Sequence, residues 1–258
     1  MPSSNRENVE HVLIELRSRI EGVLTGNLVG LYLYGSLVHG AFEPGVSDID
    51  LLAVIKHDLD ELEFLSVESM HHAFAAAHPD WDDRIEVQYL PAAALNSFKT
   101  ITSKMAAISP GEPFHGKFAG HDWLLNWYDV QQHGRTLVGP PPGDHIPHIS
   151  HEEFVSALRE QALEWADRVA QLPPRPGAQA YAILTMCRAL YGATYGAQAS
   201  KTQAARWAQR ELPPWAPLIA RALEWRLNSH ATTQEDGAPV LPTTVEFVRL
   251  VSARVLET

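Results

Sequence analysis

The chain has 258 residues, of which 45% are hydrophobic, and a formal net charge of −11 at pH 7. This length suits one large or two smaller folded domains, and the sequence shows neither a basic, apolar leader nor a run long enough to span a bilayer, so we expect a cytoplasmic protein with no membrane partner. The acidic balance argues against nucleic acid as the substrate, because phosphate binding needs a basic surface, and it favours a polycationic small molecule.

The first predicted elements alternate between helices and strands. Apolar residues recur at helical spacing from Val9 to Leu24, which predicts a first helix. Aliphatic runs at residues 28–34, 48–56 and 84–90 predict strands, with a short helix after the first and a longer helix over about 58–78. The alternation favours a small mixed sheet flanked by helices.

Two carboxylates stand at the start of the second predicted strand. Asp48 and Asp50 are two positions apart, so in a strand their side chains point to the same face. Such a pair binds Mg²⁺, which keeps positions open for phosphate and so indicates a nucleoside triphosphate. The alternative is a turn or a solvated pair without a metal. The preceding Gly35-Ser36 turn favours the metal, because its backbone N–H groups and hydroxyl suit a phosphate group.

Glu86 adds a third carboxylate inside the third predicted strand. A charged residue in a strand that must pack costs stability unless it has a partner, and a metal or a cationic substrate is such a partner. The structural alternative is that Glu86 only forms an ion pair with Arg84 or with a lysine.

The character of the sequence changes at residues 139–149, a segment rich in Pro and Gly that continues neither a helix nor a central strand. Ser150 and Glu153 then form a capping-box pattern, and helical patterns follow near 151–171, 178–196, 201–211, 215–229 and 243–257. We therefore expect two domains, 1–149 and 150–258, the second all-helical, with a cleft between them for a small molecule.

These motifs resemble a known family. A Gly-Ser turn, the sequence Ser-Asp-Ile-Asp and a third strand with one acid are similar to the signature of the polymerase-β-like nucleotidyltransferases. Residues 184–191 (LTMCRALY) and 199–213 (ASKTQAARWAQRELP) resemble the helical domain of the aminoglycoside (3'')(9) adenylyltransferases. The likeness runs roughly over residues 31–227. It implies an α+β protein with an N-terminal nucleotidyltransferase domain and a C-terminal helical bundle that closes on nucleotide and substrate.

The resemblance also implies a role for each candidate residue. Asp48 and Asp50 would hold Mg²⁺, and ATP would be the co-substrate. The residues expected to hold the nucleotide are Gly35, Ser36, Ser47, Arg188 and Lys201. A lysine at the start of a helix has no favourable interaction with the helix dipole, so something anionic should face Lys201. A solvated lysine and, for Arg188, an interhelical ion pair are the alternatives.

Glu86 has two interpretations in this setting. In template-directed polymerases the third carboxylate completes the metal site, whereas in the family resembled here the matching glutamate is the general base for the substrate hydroxyl. We favour the base, because a carboxylate that shares its site with metal and substrate cations needs no large pKa shift.

The acceptor is indicated less directly. Trp123 matches a position where some family members place an aromatic ring against the drug, and the adjacent Asp122 would accept hydrogen bonds from amino or guanidino groups. The alternatives are a core tryptophan and an acid at a helix N-terminus. Members that modify streptomycin carry acids and a tryptophan in the segment matching 172–181, where the one charged residue here is Arg175. We therefore favour spectinomycin over streptomycin.

The sequence as a whole predicts a monomeric, Mg²⁺-dependent enzyme that transfers AMP from ATP to an aminoglycoside or aminocyclitol hydroxyl and so confers antibiotic resistance. Two alternatives remain open. One is a nucleotidyltransferase with another small-molecule or protein acceptor, and the other is a non-catalytic binding protein of the toxin–antitoxin type.

Overall fold

The computed structural model describes residues 3–228 and 237–258, with side chains from residue 8 onwards. The chain forms two compact units, Met1–Ile149 and Ser150–Thr258. The first contains a sheet with flanking helices and the second is helical, which confirms the predicted α+β class. None of the described helices is long and apolar enough to cross a membrane.

A six-stranded mixed sheet organises the first unit, in the order β5-β4-β3-β2-β1-β6. Only β2 and β3 are parallel among these neighbours, and the other pairs are antiparallel. The strands are β1 Leu28–Tyr34, β2 Ile49–Ile55, β3 Ile85–Pro91, β4 Ser103–Ser109, β5 Glu112–Ala119 and β6 Arg135–Val138. The three predicted strands are confirmed, and they form the centre of the sheet next to β6 and β4.

The helices of this unit are α1 Ser3–Val23, α2 Glu61–Ala77, α3 Ala92–Ser97 and α4 Leu124–His133. The apolar face of α1 is buried in one core with β1, β2, β3 and α2, which explains the helical spacing seen in the sequence. Helix α2 begins with a capping box, in which the Asp60 side chain accepts the Glu63 N–H at 2.8 Å. The short helix predicted after β1 is a 3₁₀ turn, Gly35–Leu37.

The second unit contains α5 His151–Arg168, α6 Pro176–Tyr195, α7 Lys201–Glu211, α8 Ala216–Leu227 and α9 Leu241–Glu257. Helix α6 is buried along most of its length and packs against the other four. The capping box predicted at Ser150 is present, with the hydroxyl accepting the Glu153 N–H at 3.1 Å. Each predicted helix of this half is found within a few residues, except that residue 229 lies outside the described residues.

Candidate active site

Three carboxylates meet at one end of the central strands. Asp50 in β2 pairs in register with Glu86 in parallel β3, and Asp48 lies two residues before Asp50 on the same side. One oxygen from each carboxylate lies within 4.8 Å of the other two, and all three residues are half-buried. Like charges this close repel one another, and an all-oxygen donor set is the kind that Mg²⁺ prefers. The donors present therefore fit a divalent cation.

Glu86 is held by a buried polar network. Gln88 Nε2 donates hydrogen bonds of 2.7 Å both to Glu86 Oε1 and to the Tyr34 hydroxyl, which lies 3.4 Å from the same Oε1. Burial raises the pKa of the Glu86 carboxyl, and the charge of Asp48 raises it further. Lys117 and the two hydrogen bonds oppose that rise. The carboxylate is therefore fixed in orientation and made more basic than a free glutamate.

Sequence reasoning missed Tyr34 and Gln88, although a signal for both was present. Gln88 is fully buried and stands two residues after Glu86, on the same face of β3. Tyr34 is the register partner of Asp50 across β1 and β2. A polar side chain in the middle of an apolar strand indicates a buried hydrogen-bonding partner.

The turn after β1 depends on glycine. Gly35 has φ +72°, and a Cβ at this position would overlap the Asp50 carboxylate. Its N–H donates to Asp129 Oδ2 at 3.1 Å and is thus already hydrogen-bonded, and the nucleotide-binding role of Gly35 stays a prediction. The Ser36 hydroxyl is buried and has no hydrogen-bond partner among the described residues. A buried donor beside an acidic cluster fits a phosphate oxygen held by a cation.

Ser47 shapes the turn that leads into Asp48. Its buried hydroxyl accepts the Glu43 N–H at 3.0 Å, and its carbonyl accepts Arg84 Nε at 3.1 Å. Arg84 also donates to the Asp80 carbonyl at 3.0 Å. The guanidinium therefore joins the segment before β2 to the segment before β3, and the nucleotide-binding role of Ser47 stays a prediction.

The two residues expected to contact the acceptor lie just before α4. Lys117 Nζ lies 5.0 Å from the centre of the Trp123 ring and 3.4 Å from Glu112, so the indole faces a cation of the protein itself. The exposed Asp122 accepts the Gly120 N–H at 2.8 Å and closes a tight turn. These contacts give both residues a structural role, and their contact with an acceptor stays a prediction.

Arg188 and Lys201 lie in the helical unit near the α6–α7 connection. Arg188 Nε donates to the Ala199 carbonyl at 3.1 Å. Lys201 is the first residue of α7, after the capping Ser200, and its Nζ lies 5.6 Å from the centre of the Tyr181 ring. Arg175 is exposed and precedes α6 at its N-cap position. The nucleotide-binding roles of Arg188 and Lys201 stay predictions.

Comparison with known proteins gives matches along both units. Residues 145–253 match the family model described as the aminoglycoside adenylyltransferase C-terminal domain, and residues 16–103 match that of the nucleotidyltransferase domain. An aminoglycoside (3'')(9) adenylyltransferase of Escherichia coli is 24% identical over an alignment of 254 residues, with 92% of each chain covered. That of Klebsiella pneumoniae is 26% identical over an alignment of 247 residues, with 87% of this chain and 90% of the relative covered.

A solved structure has a similar fold over 95% of this chain. It is the crystal structure of spectinomycin adenyltransferase AAD(9) from Enterococcus faecialis with ATP and spectinomycin. The TM-score is 0.76 at 16% sequence identity, with 95% of this chain and 99% of that chain covered.

Proposed function

We propose that the chain acts as an aminoglycoside (3'')(9) adenylyltransferase, which transfers AMP from ATP to a hydroxyl of an aminocyclitol antibiotic, with spectinomycin as the preferred acceptor. The observation that carries the proposal is the meeting of Asp48, Asp50 and Glu86 beside the Gly35-Ser36 turn. A cluster of carboxylates next to a turn that can hold a phosphate group suits the binding of a metal-bound triphosphate.

In the proposed reaction Asp48 and Asp50 would hold Mg²⁺, which when bound would neutralise phosphate charge. Glu86 accepts the proton of the acceptor hydroxyl, whose oxygen attacks the α-phosphorus of ATP. The bond from that phosphorus to the bridging oxygen breaks, so that pyrophosphate leaves and AMP is joined to the antibiotic. The half-buried, hydrogen-bonded carboxylate of Glu86 supports this role, because a raised pKa brings a carboxylate closer to the basicity that proton abstraction near neutral pH requires.

The preference for spectinomycin rests on the segment before and at the start of α6. Arg175 is the one charged residue between positions 172 and 181, and its side chain is exposed. A guanidino-bearing drug such as streptomycin would meet a like charge there instead of a salt-bridge partner. We expect a higher kcat/KM with spectinomycin, and we expect Arg175→Asp to narrow the gap between the two drugs.

The test is direct. The purified full chain is incubated with ATP, Mg²⁺ and a panel of aminoglycosides and aminocyclitols, and mass spectrometry detects AMP addition to the antibiotic. Asp50→Asn should abolish the product, and the exposed Asp58→Asn serves as the matched control with unchanged turnover. Absence of an adenylylated product with every antibiotic, or normal turnover in Asp50→Asn, would overturn the proposal.

A further inference from the structure

A second group of ligand-type side chains surrounds Asp129 on helix α4. His39 Nε2 lies 2.7 Å and His133 Nδ1 lies 3.1 Å from the same oxygen, Asp129 Oδ1. An ionised carboxylate only accepts hydrogen bonds, so both ring nitrogens carry a proton in this arrangement. The two imidazoles meet edge to face, with ring centroids 4.7 Å apart. Two imidazoles and one carboxylate are therefore aimed at one small volume.

This donor set differs in kind from the acidic cluster at Asp48. Imidazole nitrogen is a borderline ligand that suits Zn²⁺, Ni²⁺ and Cu²⁺, whereas a set of carboxylates suits Mg²⁺. Tetrahedral Zn²⁺ with bonds of about 2.0–2.1 Å places neighbouring ligand atoms about 3.3 Å apart. The ligand atoms of His39, Asp129 and His133 all lie within 4.8 Å of one another. A small adjustment of the rings would let one ion replace the two protons on these nitrogens.

We propose that His39, Asp129 and His133 form a binding site for one divalent transition-metal ion of the Zn²⁺ class. The Asp129 side chain is 7% exposed and that of His133 is 43% exposed, so the site has a buried anchor and an open side. Three protein ligands leave a fourth position for water, which can enter on the side of His133.

The site is connected to the turn that shapes the acidic cluster. The second oxygen of Asp129 accepts the Gly35 backbone N–H, and the backbone N–H of His39 donates to the Gly35 carbonyl at 3.2 Å. A metal ion at this place joins α4 to the 35–39 turn, two segments far apart in sequence. Because the ion binds a site that exists only in the folded chain, it should raise the melting temperature of the protein. The proposal concerns metal binding and does not depend on the transfer reaction.

The test uses metal-stripped full chain without an affinity tag, titrated with Co²⁺ in excess Mg²⁺. Visible absorption reports Co²⁺ bound to nitrogen ligands, and Zn²⁺ then displaces it. The titration is repeated in Asp50→Asn, which weakens Co²⁺ binding at the acidic cluster. His133→Asn and His39→Gln remove an imidazole and place an amide N–H where Nδ1 and Nε2 stood, so the hydrogen bond to Asp129 can persist. The exposed His72→Asn is the matched control.

The expected result is one equivalent of Co²⁺ bound in the wild type and in Asp50→Asn. His133→Asn should weaken binding about 100-fold or more, since loss even of a group that only orients a ligand costs about 10–100-fold. Its melting temperature without metal should stay close to that of the wild type, and His72→Asn should bind normally. Absence of Co²⁺ binding in the wild type, or Co²⁺ affinity equal to that of the wild type in both His133→Asn and His39→Gln, would overturn the proposal. The three residues would then serve only as a hydrogen-bonded anchor.

Discussion

Replacement of Glu86 by glutamine is the sharpest test of the chemistry. Glutamine has the shape of glutamate, and its carbonyl oxygen can still accept the 2.7 Å hydrogen bond from Gln88. The variant therefore keeps the packing of β3 and loses only the proposed proton acceptor and one negative charge. General-base catalysis is worth about 10²–10⁴ in rate. We expect turnover to fall by that factor, which corresponds to about 3–5 kcal/mol of transition-state stabilisation.

Glu86→Gln should raise the stability of the folded chain although it lowers turnover. The pKa of Glu86 is raised by burial and by Asp48, so the folded chain holds this proton more tightly than the unfolded chain does. The stability that Glu86 contributes is present below its unfolded pKa and is lost as the pH rises through the folded pKa. Without divalent cations, Glu86→Gln should therefore melt at a higher temperature than the wild type at pH 7. The difference should disappear below about pH 4, where the wild-type carboxyl is neutral in both states.

Three measurements on Glu86→Gln complete the test. Pyrophosphate release gives the rate at increasing Mg²⁺, calorimetry with a non-hydrolysable ATP analogue gives nucleotide affinity, and thermal melts give stability. The exposed Glu61→Gln is the control and should match the wild type in rate and in nucleotide affinity. Unchanged ATP affinity with a low rate at every Mg²⁺ concentration supports the base. Recovery of the rate at high Mg²⁺, or loss of nucleotide binding, would instead make Glu86 a metal ligand and refute the reasoning.

Three further predictions follow from particular residues. Gly35→Ala should lower turnover at least about tenfold, because the added Cβ would overlap the Asp50 carboxylate. Gly26 has a similar positive φ in open space, so Gly26→Ala should cost only about 1–2 kcal/mol of stability and keep normal turnover. Equal turnover in the two variants would contradict the role of the Gly35–Asp50 contact. Burial lowers the pKa of His71 to about 4. Between pH 7 and pH 4 the unfolding free energy of the wild type, measured by urea titration, should therefore fall by of order 3 kcal/mol more than that of His71→Gln. Parallel pH profiles of the two proteins would disprove this. Lys201→Ala should weaken ATP affinity about tenfold or more at an unchanged melting temperature, and calorimetry that finds normal affinity would remove Lys201 from the nucleotide site.

Local patterns in the sequence were sufficient for the central strands and for most helices. The alternation of a strand places Asp48 and Asp50 on one face without knowledge of any partner strand. The capping box at Ser150 likewise marks the start of α5 from four consecutive residues. Both signals are local, because they depend on backbone geometry and on hydrogen bonds within one turn.

The outer strands β4, β5 and β6 were not predicted, because their local sequence patterns are weak. β4 and β5 join at Gly111, which has φ +79° in a tight hairpin, and β6 has only four residues at the edge of the sheet. Lys104 and Lys117 interrupt the apolar pattern of the hairpin strands on their exposed or half-exposed positions. Such strands are stabilised by pairing with neighbours, so their own residues carry a weak signal.

The sequence by itself determined the residue types of the acidic cluster and the family to which they point. Only the tertiary structure decided which side chains support that cluster. Parallel register brings Glu86 beside Asp50, and Gln88 then reaches across to the Tyr34 hydroxyl on β1. Helix α4 places Asp129 against a turn 94 positions earlier in the chain. Contacts of this kind depend on strand register and helix placement, which come from the packing of the whole unit. A polar residue such as Gln88 within an apolar strand indicates that it has a buried partner, but the sequence does not say which side chain that partner is.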